Sequence, residues 1–546
     1  MSDLIMAIDS PDEQHELICI NANICTMDPG CPSASVVAAK GRNIIYVGDD
    51  RREAETLLSS KALKVDLGGR TVVPGLYEGH AHLILEGFKL GQVELRGCSK
   101  EDVLALVRRE VQNKAKGEWI VGHGWNQQHW PDEAWPDRLE LDEAAPDNPV
   151  CLDRIDKHSI WVNSAAMRAA GLADNAPDPP LGEYLRRADG SLKGIIVGKA
   201  MQTVWEAIPA PDLKAETEAL LKAQEELFGY GITSVMDAGV SPESIALMER
   251  AYKSGSLKLR IRGMVRAWDR SDEKFFNSGG VLRRGLYGER FTVDGVKLHA
   301  DGSLGSRSAW MLRDYADRPG HRGSRNFTDE EMAAAMERAN DHGFAVSVHA
   351  IGDAAVRQTL DVMERVLGPR PAGHRWRIEH FQVVEPGDLT RALAMGVVIS
   401  LQTIGIMSDL EMAEERLGPE VIKHAYAWRD ILNGGGIIVN GSDCPIEKVN
   451  PFQGMFAAVM RENLDGFPEG GWYPRHCLTP EEALKTYTVW PAYSEFGERR
   501  KGSLIAGKLA DFAVLNQDPL TCRPSDIKDI ECMMTVLGGE VVFSRL

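Results

Sequence analysis

Residues 327–367 read FTDEEMAAAMERANDHGFAVSVHAIGDAAVRQTLDVMERVL and contain one complete repeat of the predicted fold. A helix is predicted from Thr328 to Gly343, because Thr328 can cap its first turn and Glu331 follows three residues later, as in a capping box. The short apolar run FAVSVHAIGD comes next, and a second helix is predicted over Asp353 to Leu367. This helix–strand–helix order is typical of α/β proteins with a parallel sheet.

The same alternation of short apolar runs and helix-length segments continues through most of the chain. Glu385 to Gly396 is a further predicted helix of this kind. After residue 230, seven runs are candidate strands: GITSVMDAG, LRIRGMVRA, FTVDGVKLHADG, FAVSVHAIGD, RWRIEHFQ, VVISLQT and IIVNGSDCP. With TVVPGLYEGHAH as the first strand the count is eight, so the sequence predicts an α/β fold built on a (β/α)8 TIM-type barrel.

Two further regions surround the predicted barrel. Residues 1–74 and 498–546 both contain short β-rich runs separated by turn residues, so the two chain ends are predicted to pair into one β-sandwich. The barrel is predicted over residues 75–497, with an inserted subdomain at about 95–212, after its first strand. This insertion carries six of the twelve tryptophans, which either cover a substrate pocket or form the core of the subdomain itself.

The composition of the chain restricts its partners and its location. Of its 546 residues, 43% are hydrophobic and 26% are charged, which is ordinary for a globular protein. A formal net charge of −18 argues against binding to nucleic acid or anionic membranes, so we expect a small-molecule substrate. Nine scattered cysteines and the absence of an apolar leader or an 18-residue apolar run predict a soluble cytoplasmic protein, with a homo-oligomer possible.

Histidines and an aspartate stand at the ends of the predicted strands, where barrel enzymes build their sites. His80 and His82 are two residues apart in a strand, so their rings face the same side. His349 ends FAVSVHAIGD, His380 ends RWRIEHFQ, and Asp443 ends IIVNGSDCP. Nitrogen and carboxylate donors without a thiolate predict a site for one or two divalent metal ions, Zn²⁺ first, with Mn²⁺, Fe²⁺ or Ni²⁺ as alternatives.

Lys297, in the run FTVDGVKLHADG, is placed at the end of the fourth predicted strand and faces the same rim. His299 follows it two residues later. An ammonium group cannot bind a cation, but a carbamate that Lys297 forms with CO2 can bridge two. An ion pair with Asp294 or Asp301 is the structural alternative for this lysine.

Other polar residues are candidates for contacts with the substrate and for proton transfer. His123 in VGHGWNQQHW, His158 in RIDKHSIW and Arg307 in GSLGSRSA could each hold substrate, or could equally be surface or helix-capping residues. Asp443, at the predicted metal, is the candidate general base that takes a proton from water and returns it to the leaving nitrogen.

The ordered motifs VVPGLYEGHAH, VDGVKLHADGSLGSRSA, VSVHAIGDAA, RIEHFQ and NGSDCPIEKVNP resemble the amidohydrolase superfamily, specifically its family 3 branch that includes the N-substituted formamide deformylases. RKGSLIAGKLADFAVLNQDP is similar to the C-terminal sandwich segment of that superfamily. The resemblance covers nearly the whole chain and implies a metal-dependent hydrolase. It implies one metal on His80 and His82, a second on His349 and His380, a bridging carbamylated Lys297, and Asp443 as ligand and general base. The implied catalytic residues are Asp443, Lys297 and His380.

Three functions remain open at this point. The first is hydrolysis of the amide bond of an N-acyl or N-formyl amine, and the second is deamination, or opening of a cyclic amide or imine. Lys297 favours the first, because deaminase-type sites commonly use one metal and no bridging lysine. The third is a non-catalytic scaffold of the same fold, which should have lost ligands, whereas this chain keeps all six ligand positions.

Overall fold

The computed structural model describes residues 15–155, 158–180, 182–368 and 373–546. The chain forms two compact units, one containing the described residues up to 85 together with 220–546, and the other containing residues 86–219. In the described part of the chain, every helix is too short or too polar to span a lipid bilayer.

Eight parallel strands form the barrel of the first unit, and their order in the sheet follows their order in the chain. A ninth, short strand of the same sheet, Arg283–Gly285, pairs antiparallel with Phe291–His299. The ends of this sheet approach each other, because the Asp443 amide donates to the His80 carbonyl at 2.8 Å and the His82 amide donates to the Cys444 carbonyl at 2.9 Å. The predicted TIM-type barrel is confirmed. Its strands are Leu76–Ala81, Ile232–Val240, Arg260–Arg266, Phe291–His299, Ala345–Ala350, Arg377–His380, Val398–Leu401 and Ile438–Asn440.

Every predicted run contains one of these strands, but the prediction of a single strand over TVVPGLYEGHAH is wrong. Thr71–Pro74 belongs to a different sheet, and the barrel strand begins at Leu76. Gly75 lies between them, with its amide donating to the Asp511 carbonyl at 2.9 Å. A Cβ atom on Gly75 would lie only 2.2 Å from Thr233 Oγ1, so this close approach requires glycine. The run is therefore divided between two sheets.

The predicted helices of the barrel are confirmed close to their predicted bounds. The helix Asp329–Asp341 begins after Thr328, which forms the expected capping box with Glu331. Asp353–Leu367 and Pro386–Met395 also match. The remaining α-helices of the described part of this unit are Arg51–Thr56, Pro242–Lys253, Ser271–Asn277, Leu286–Glu289, Ile406–Asp409, Ala413–Val421, Trp428–Asn433, Pro451–Met460, Pro480–Thr486 and Val489–Ser494, while Leu83–Leu90 and Leu213–Gly229 run across the unit boundaries.

Strands from both chain ends lie in one sheet of the first unit. Phe512–Leu515 pairs antiparallel with Thr71–Pro74, and the full order is Glu540–Ser544, Cys532–Leu537, Phe512–Leu515, Thr71–Pro74, Asn23–Cys25 and Ser33–Ala34. A second sheet has the order Asn43–Gly48, Val36–Lys40, Glu16–Ile20 and Leu63–Asp66, and one buried apolar cluster contains Leu17 from this sheet and Phe512 from the first. The β-sandwich domain of residues 1–74 and 498–546 stays a prediction, which these pairings support.

The second unit has its own sheet and its own core, and the predicted insertion at about 95–212 falls within it. Trp125, Trp130 and Trp161 are buried there with ring centroids 6.0 to 6.2 Å apart, so these three rings belong to the core of the unit. The sheet has the order Gly182–Arg186, Leu192–Gly198, Ser159–Val162, Val150–Arg154, Ile120–Trp125 and Val93–Glu94, and the helices are Lys100–Val111, Arg138–Ala144, Ser164–Ala169 and Gln202–Trp205.

Candidate metal centre

The predicted metal ligands all lie in the first unit, at the carboxyl ends of barrel strands. His80 is in the first strand and His82 directly follows it, while His349 is in the fifth strand. His380 is the last residue of the sixth strand, and Asp443 follows the end of the eighth. Parallel pairing places these strand ends at one rim of the barrel, so donors that are far apart in the sequence come together.

Three of these side chains form a compact group of donor atoms. The ligand atoms of His80, His380 and Asp443 lie within 4.8 Å of one another. Asp443 Oδ1 lies 3.4 Å from His80 Nε2 and 3.3 Å from His82 Nε2, so a fourth donor is adjacent. Imidazole nitrogens and a carboxylate oxygen fit a divalent transition metal such as zinc.

Two of the histidines are oriented by hydrogen bonds from the nitrogen that faces away from this group. His80 Nδ1 is 2.7 Å from Glu379 Oε2, and His380 Nδ1 is 2.7 Å from Gln402 Oε1. A donor hydrogen bond at Nδ1 leaves Nε2 as the free donor for a metal, which is the usual arrangement of metal-binding histidines. This orientation is the strongest sign within the structure that the group is built to hold a cation.

Glu379 and Gln402 are site residues that the sequence analysis missed. Glu379 is fully buried in the strand Arg377–His380, and a buried glutamate normally requires a partner. Gln402 directly follows the seventh strand, whose end carried no candidate. A search for polar residues next to predicted ligands, and at every strand end, would have found both.

His349 lies next to the group of three donors but is not a member of it. Its ring centroid is 4.3 Å from that of His380. Its Nε2 atom is 3.2 Å from the Gly302 carbonyl oxygen and 3.4 Å from Asp301 Oδ1, so Nδ1 is the nitrogen left for a metal. Its predicted role as a ligand of a second ion stays a prediction.

Lys297 is fully buried, and its Nζ atom lies 3.3 Å from His80 Nε2. Burial lowers the pKa of Lys297 to about 8, although Glu379 and Asp443 act in the opposite direction. A buried amine with a lowered pKa is more often neutral, and the neutral form is the one that reacts with CO2.

The two acidic residues considered as ion-pair partners of Lys297 have other contacts. Asp294 binds Arg262, with Nε 2.6 Å from Oδ1. Asp301 accepts hydrogen bonds from backbone amides, including that of Gly352 at 2.9 Å. Lys297 is therefore directed towards the histidines.

Asp443 is held in its ionised form by its surroundings. Burial disfavours the carboxylate, but the electrostatic attraction of His80 and a hydrogen bond from His82 outweigh burial and keep the pKa of Asp443 well below its ordinary value. The backbone at Asp443 has a φ of 57°, and at His380 a φ of 73°. Residues other than glycine rarely adopt this left-handed conformation, and such strained residues cluster at functional sites.

The three candidate substrate contacts have different surroundings. Arg307 lies in the first unit, where its Nε and Nη2 atoms bind the Asp317 carboxylate at 3.0 and 2.6 Å. His123 and His158 lie in the second unit. His123 Nε2 is 3.7 Å from Glu94 Oε2, and His158 is exposed. Their contacts with a substrate stay predictions.

Comparison with known proteins agrees with the geometry of the barrel. The profile of the amidohydrolase family matches residues 64–543. The putative amidohydrolase YtcJ of Bacillus subtilis strain 168 is 31% identical to this chain over 506 residues, which cover 91% of this chain and 94% of YtcJ. The N-substituted formamide deformylase of Arthrobacter pascens is 27% identical over 552 residues, which cover 98% of this chain and 99% of the deformylase.

A solved structure with the same fold is also similar in sequence. The crystal structure of an uncharacterized metal-dependent hydrolase from Pyrococcus horikoshii OT3 superposes with a TM-score of 0.77 at 29% identity, covering 93% of this chain and 99% of that one. The prediction of a metal-dependent amidohydrolase is confirmed. The chain belongs to the amidohydrolase family, and it is a metal-dependent hydrolase that acts on amide-type bonds.

Proposed function

We propose that the chain hydrolyses the amide bond of a small N-acyl amine, with N-formyl amines as the first choice. The observation that carries this proposal is the group of donor atoms from His80, His380 and Asp443, with the two histidines oriented by outer hydrogen bonds. Similarity to a formamide deformylase along 98% of the chain supports the choice of substrate.

A divalent metal, Zn²⁺ by its preference for these donors, would be held by His80, His82, His380 and Asp443. Such an ion, when bound, lowers the pKa of a water molecule to about 7 and polarises a substrate carbonyl. With two ions bound, His380 would join His349 at the second ion, as the resemblance implies, and Lys297 would serve both ions. For this role the Lys297 amine adds to CO2, which forms a carbamate and releases one proton.

Asp443 supplies the proton transfers of the proposed reaction. Its carboxylate is ionised at neutral pH and lies beside His80 and His82, so it can accept a proton from water as the oxygen attacks the carbonyl carbon. The same proton then passes to the amide nitrogen as the C–N bond breaks. The products are a carboxylic acid, which is formic acid for a formamide, and the free amine.

Glu379 and Gln402 position the histidines and take no part in the bond changes. Arg377 binds both oxygens of Glu379, with Nε 2.8 Å from Oε1 and Nη2 3.1 Å from Oε2, so the carboxylate is anchored beside His80. Burial opposes ionisation of Glu379, but Arg377 and His80 outweigh it and hold its pKa well below the ordinary value. Glu379 therefore remains an acceptor that fixes the proton of His80 on Nδ1.

The experiment is a substrate panel with metal analysis. The protein is expressed with added zinc, its metal content is measured by mass spectrometry, and amine release is followed for N-formyl and N-acetyl amines. Cyclic amides and amino-substituted heterocycles form the second arm of the panel. Release of primary amine by metal-loaded protein supports the proposal, whereas ring opening or ammonia release supports the deaminase or cyclic amidase alternative. A protein that binds metal but turns over no compound in either arm contradicts both.

We further propose that the protein acts on its small-molecule substrate in the cytoplasm. All nine cysteines are free thiols, which is usual in a reducing compartment. Fractionation of cells with an antibody against the native chain tests the location.

A further inference from the structure

An exposed tryptophan stands beside the metal centre. Trp268 follows the third barrel strand and is 39% exposed. A Cβ atom placed on Gly239 would lie 3.0 Å from Trp268 Cη2 and 3.3 Å from His82 Nδ1. The indole and the predicted ligand His82 therefore both border the space above Gly239.

The indole also adjoins a row of aromatic rings, in which it is tilted by 54° against His299. Its centroid is 4.3 Å from that of His299, which in turn lies parallel to His349 at 4.7 Å with an interplanar angle of 8°. His299 is two residues after Lys297 in the same strand, so both side chains face the same side of the sheet. We call Trp268 and His299 the aromatic wall, and this wall ends at His349 of the candidate metal centre.

The exposed indole is not explained by packing alone. The Arg266 guanidinium lies 5.9 Å from the indole centroid but is paired with Asp269 at 3.1 Å, and more than a third of Trp268 stays open. His299 Nε2 is buried and has no hydrogen-bond partner in the described part of the chain. A phenyl ring would stack equally well without that uncompensated nitrogen, and such unsatisfied atoms call for a functional explanation.

We propose that the aromatic wall binds a planar ring of the substrate, so that amides carrying an aromatic group are preferred over amides with a saturated ring of the same size. This inference rests on the proposed amide hydrolysis and specifies its substrate class. Aromatic rings favour offset-stacked or edge-to-face contacts with an indole, and a puckered saturated ring cannot make them. Trp268 is then a specificity-determining residue that takes no part in proton transfer.

The first test compares N-benzylformamide and N-(cyclohexylmethyl)formamide on the metal-loaded enzyme, because both release a primary alkylamine and differ only in the ring. We expect wild type to have the higher kcat/KM for N-benzylformamide. Trp268→Leu should lower this kcat/KM by about tenfold and change that for N-(cyclohexylmethyl)formamide by less than about twofold. Trp268→Phe, the matched control, keeps a planar ring and should retain most of the preference. Equal losses for both substrates, or no preference in wild type, overturn the proposal whether or not Trp268→Leu folds normally.

The second test measures binding without turnover. The dissociation constants of benzamide and cyclohexanecarboxamide, two neutral amides, are measured by calorimetry for wild type, Trp268→Leu and Trp268→Phe. If benzamide binds more tightly than cyclohexanecarboxamide, and only Trp268→Leu loses this difference, the aromatic wall is supported. If no formamide is hydrolysed at the same time, the proposed function fails but the aromatic wall does not. If formamides are hydrolysed without a preference for the aromatic ring, the proposed function is supported and the aromatic wall is refuted. Absence of binding of both amides at millimolar concentration also overturns the wall.

Discussion

Replacement of Asp443 by asparagine separates its predicted role as a base from its predicted role as a ligand. The amide keeps an oxygen that can bind a metal, but it cannot accept a proton at neutral pH. His80, His82 and His380 remain, so we expect most of the metal to stay bound. Loss of a general base typically reduces the rate by a factor of about 10² to 10⁴, or about 2.7 to 5.5 kcal/mol of barrier.

The structure places the expected loss at the upper end of this range. Glu379, the other carboxylate in contact with the His80 ring, is already bound to His80 and Arg377, so it cannot replace Asp443. The same proton must also reach the leaving nitrogen, so two steps are affected. The assay is kcat for a hydrolysed formamide, with metal content measured on the same preparation.

The matched control is Asp409→Asn. Asp409 is a partly buried carboxylate of the same unit that accepts hydrogen bonds from Tyr426 and Gln382, so it tests the effect of losing a hydrogen-bonded carboxylate outside the metal centre. We expect its kcat to stay within about threefold of wild type. If Asp443→Asn kept more than about a tenth of the wild-type kcat, the activation barrier would rise by less than about 1.4 kcal/mol, and the assignment of Asp443 as base would be wrong. Loss of the metal together with activity would refute the separation of the two roles.

Three further predictions concern the metal and the stability of the barrel. Gln402→Leu removes the acceptor of His380 Nδ1 and should weaken metal binding by about 10- to 100-fold, as measured by competition with a chelator. Lys297→Ala should reduce a two-metal enzyme to about one ion per chain in metal analysis, and an unchanged count would exclude the carbamate bridge. Asp511→Asn leaves Arg260 buried without its ion pair, which costs about 3 to 5 kcal/mol. Its thermal midpoint should fall with metal content unchanged, and an unaltered midpoint would mean that the pair contributes nothing.

The barrel could be predicted because each of its strands carries its own local signal. The run FAVSVHAIGD, which follows Gly343, is largely apolar and lies between two predicted helices, and the structure has the strand Ala345–Ala350 and the helix Asp353–Leu367 at those places. Ligands such as His380 were found because a strand end is recognisable from the sequence, and in a barrel every strand end lies on a common rim.

Features that depend on distant parts of the chain could not be predicted in this way. The close approach of Thr233 to Gly75 leaves no space for a side chain at residue 75, and no local pattern reports that contact. The hydrogen bond from His80 to Glu379 joins residues 299 positions apart. Glu379 was overlooked because a lone glutamate in a strand carries no motif, although its burial next to His380 requires a partner.

The register of the sheet explains why the candidate site is precise although its residues come from separate strands. His299 is paired with His349 across the fourth and fifth strands, and Ala350 with His380 across the fifth and sixth. A shift of one residue in either pairing would turn the affected histidine to the opposite face of the sheet. The apolar residues of these strands fix that register, because the same shift would turn the fully buried Val348 and Leu298 to the opposite face of the sheet, away from their present packing partners. Packing of the barrel therefore determines the positions of the histidines, and the left-handed backbone at His380 and Asp443 then sets their final direction.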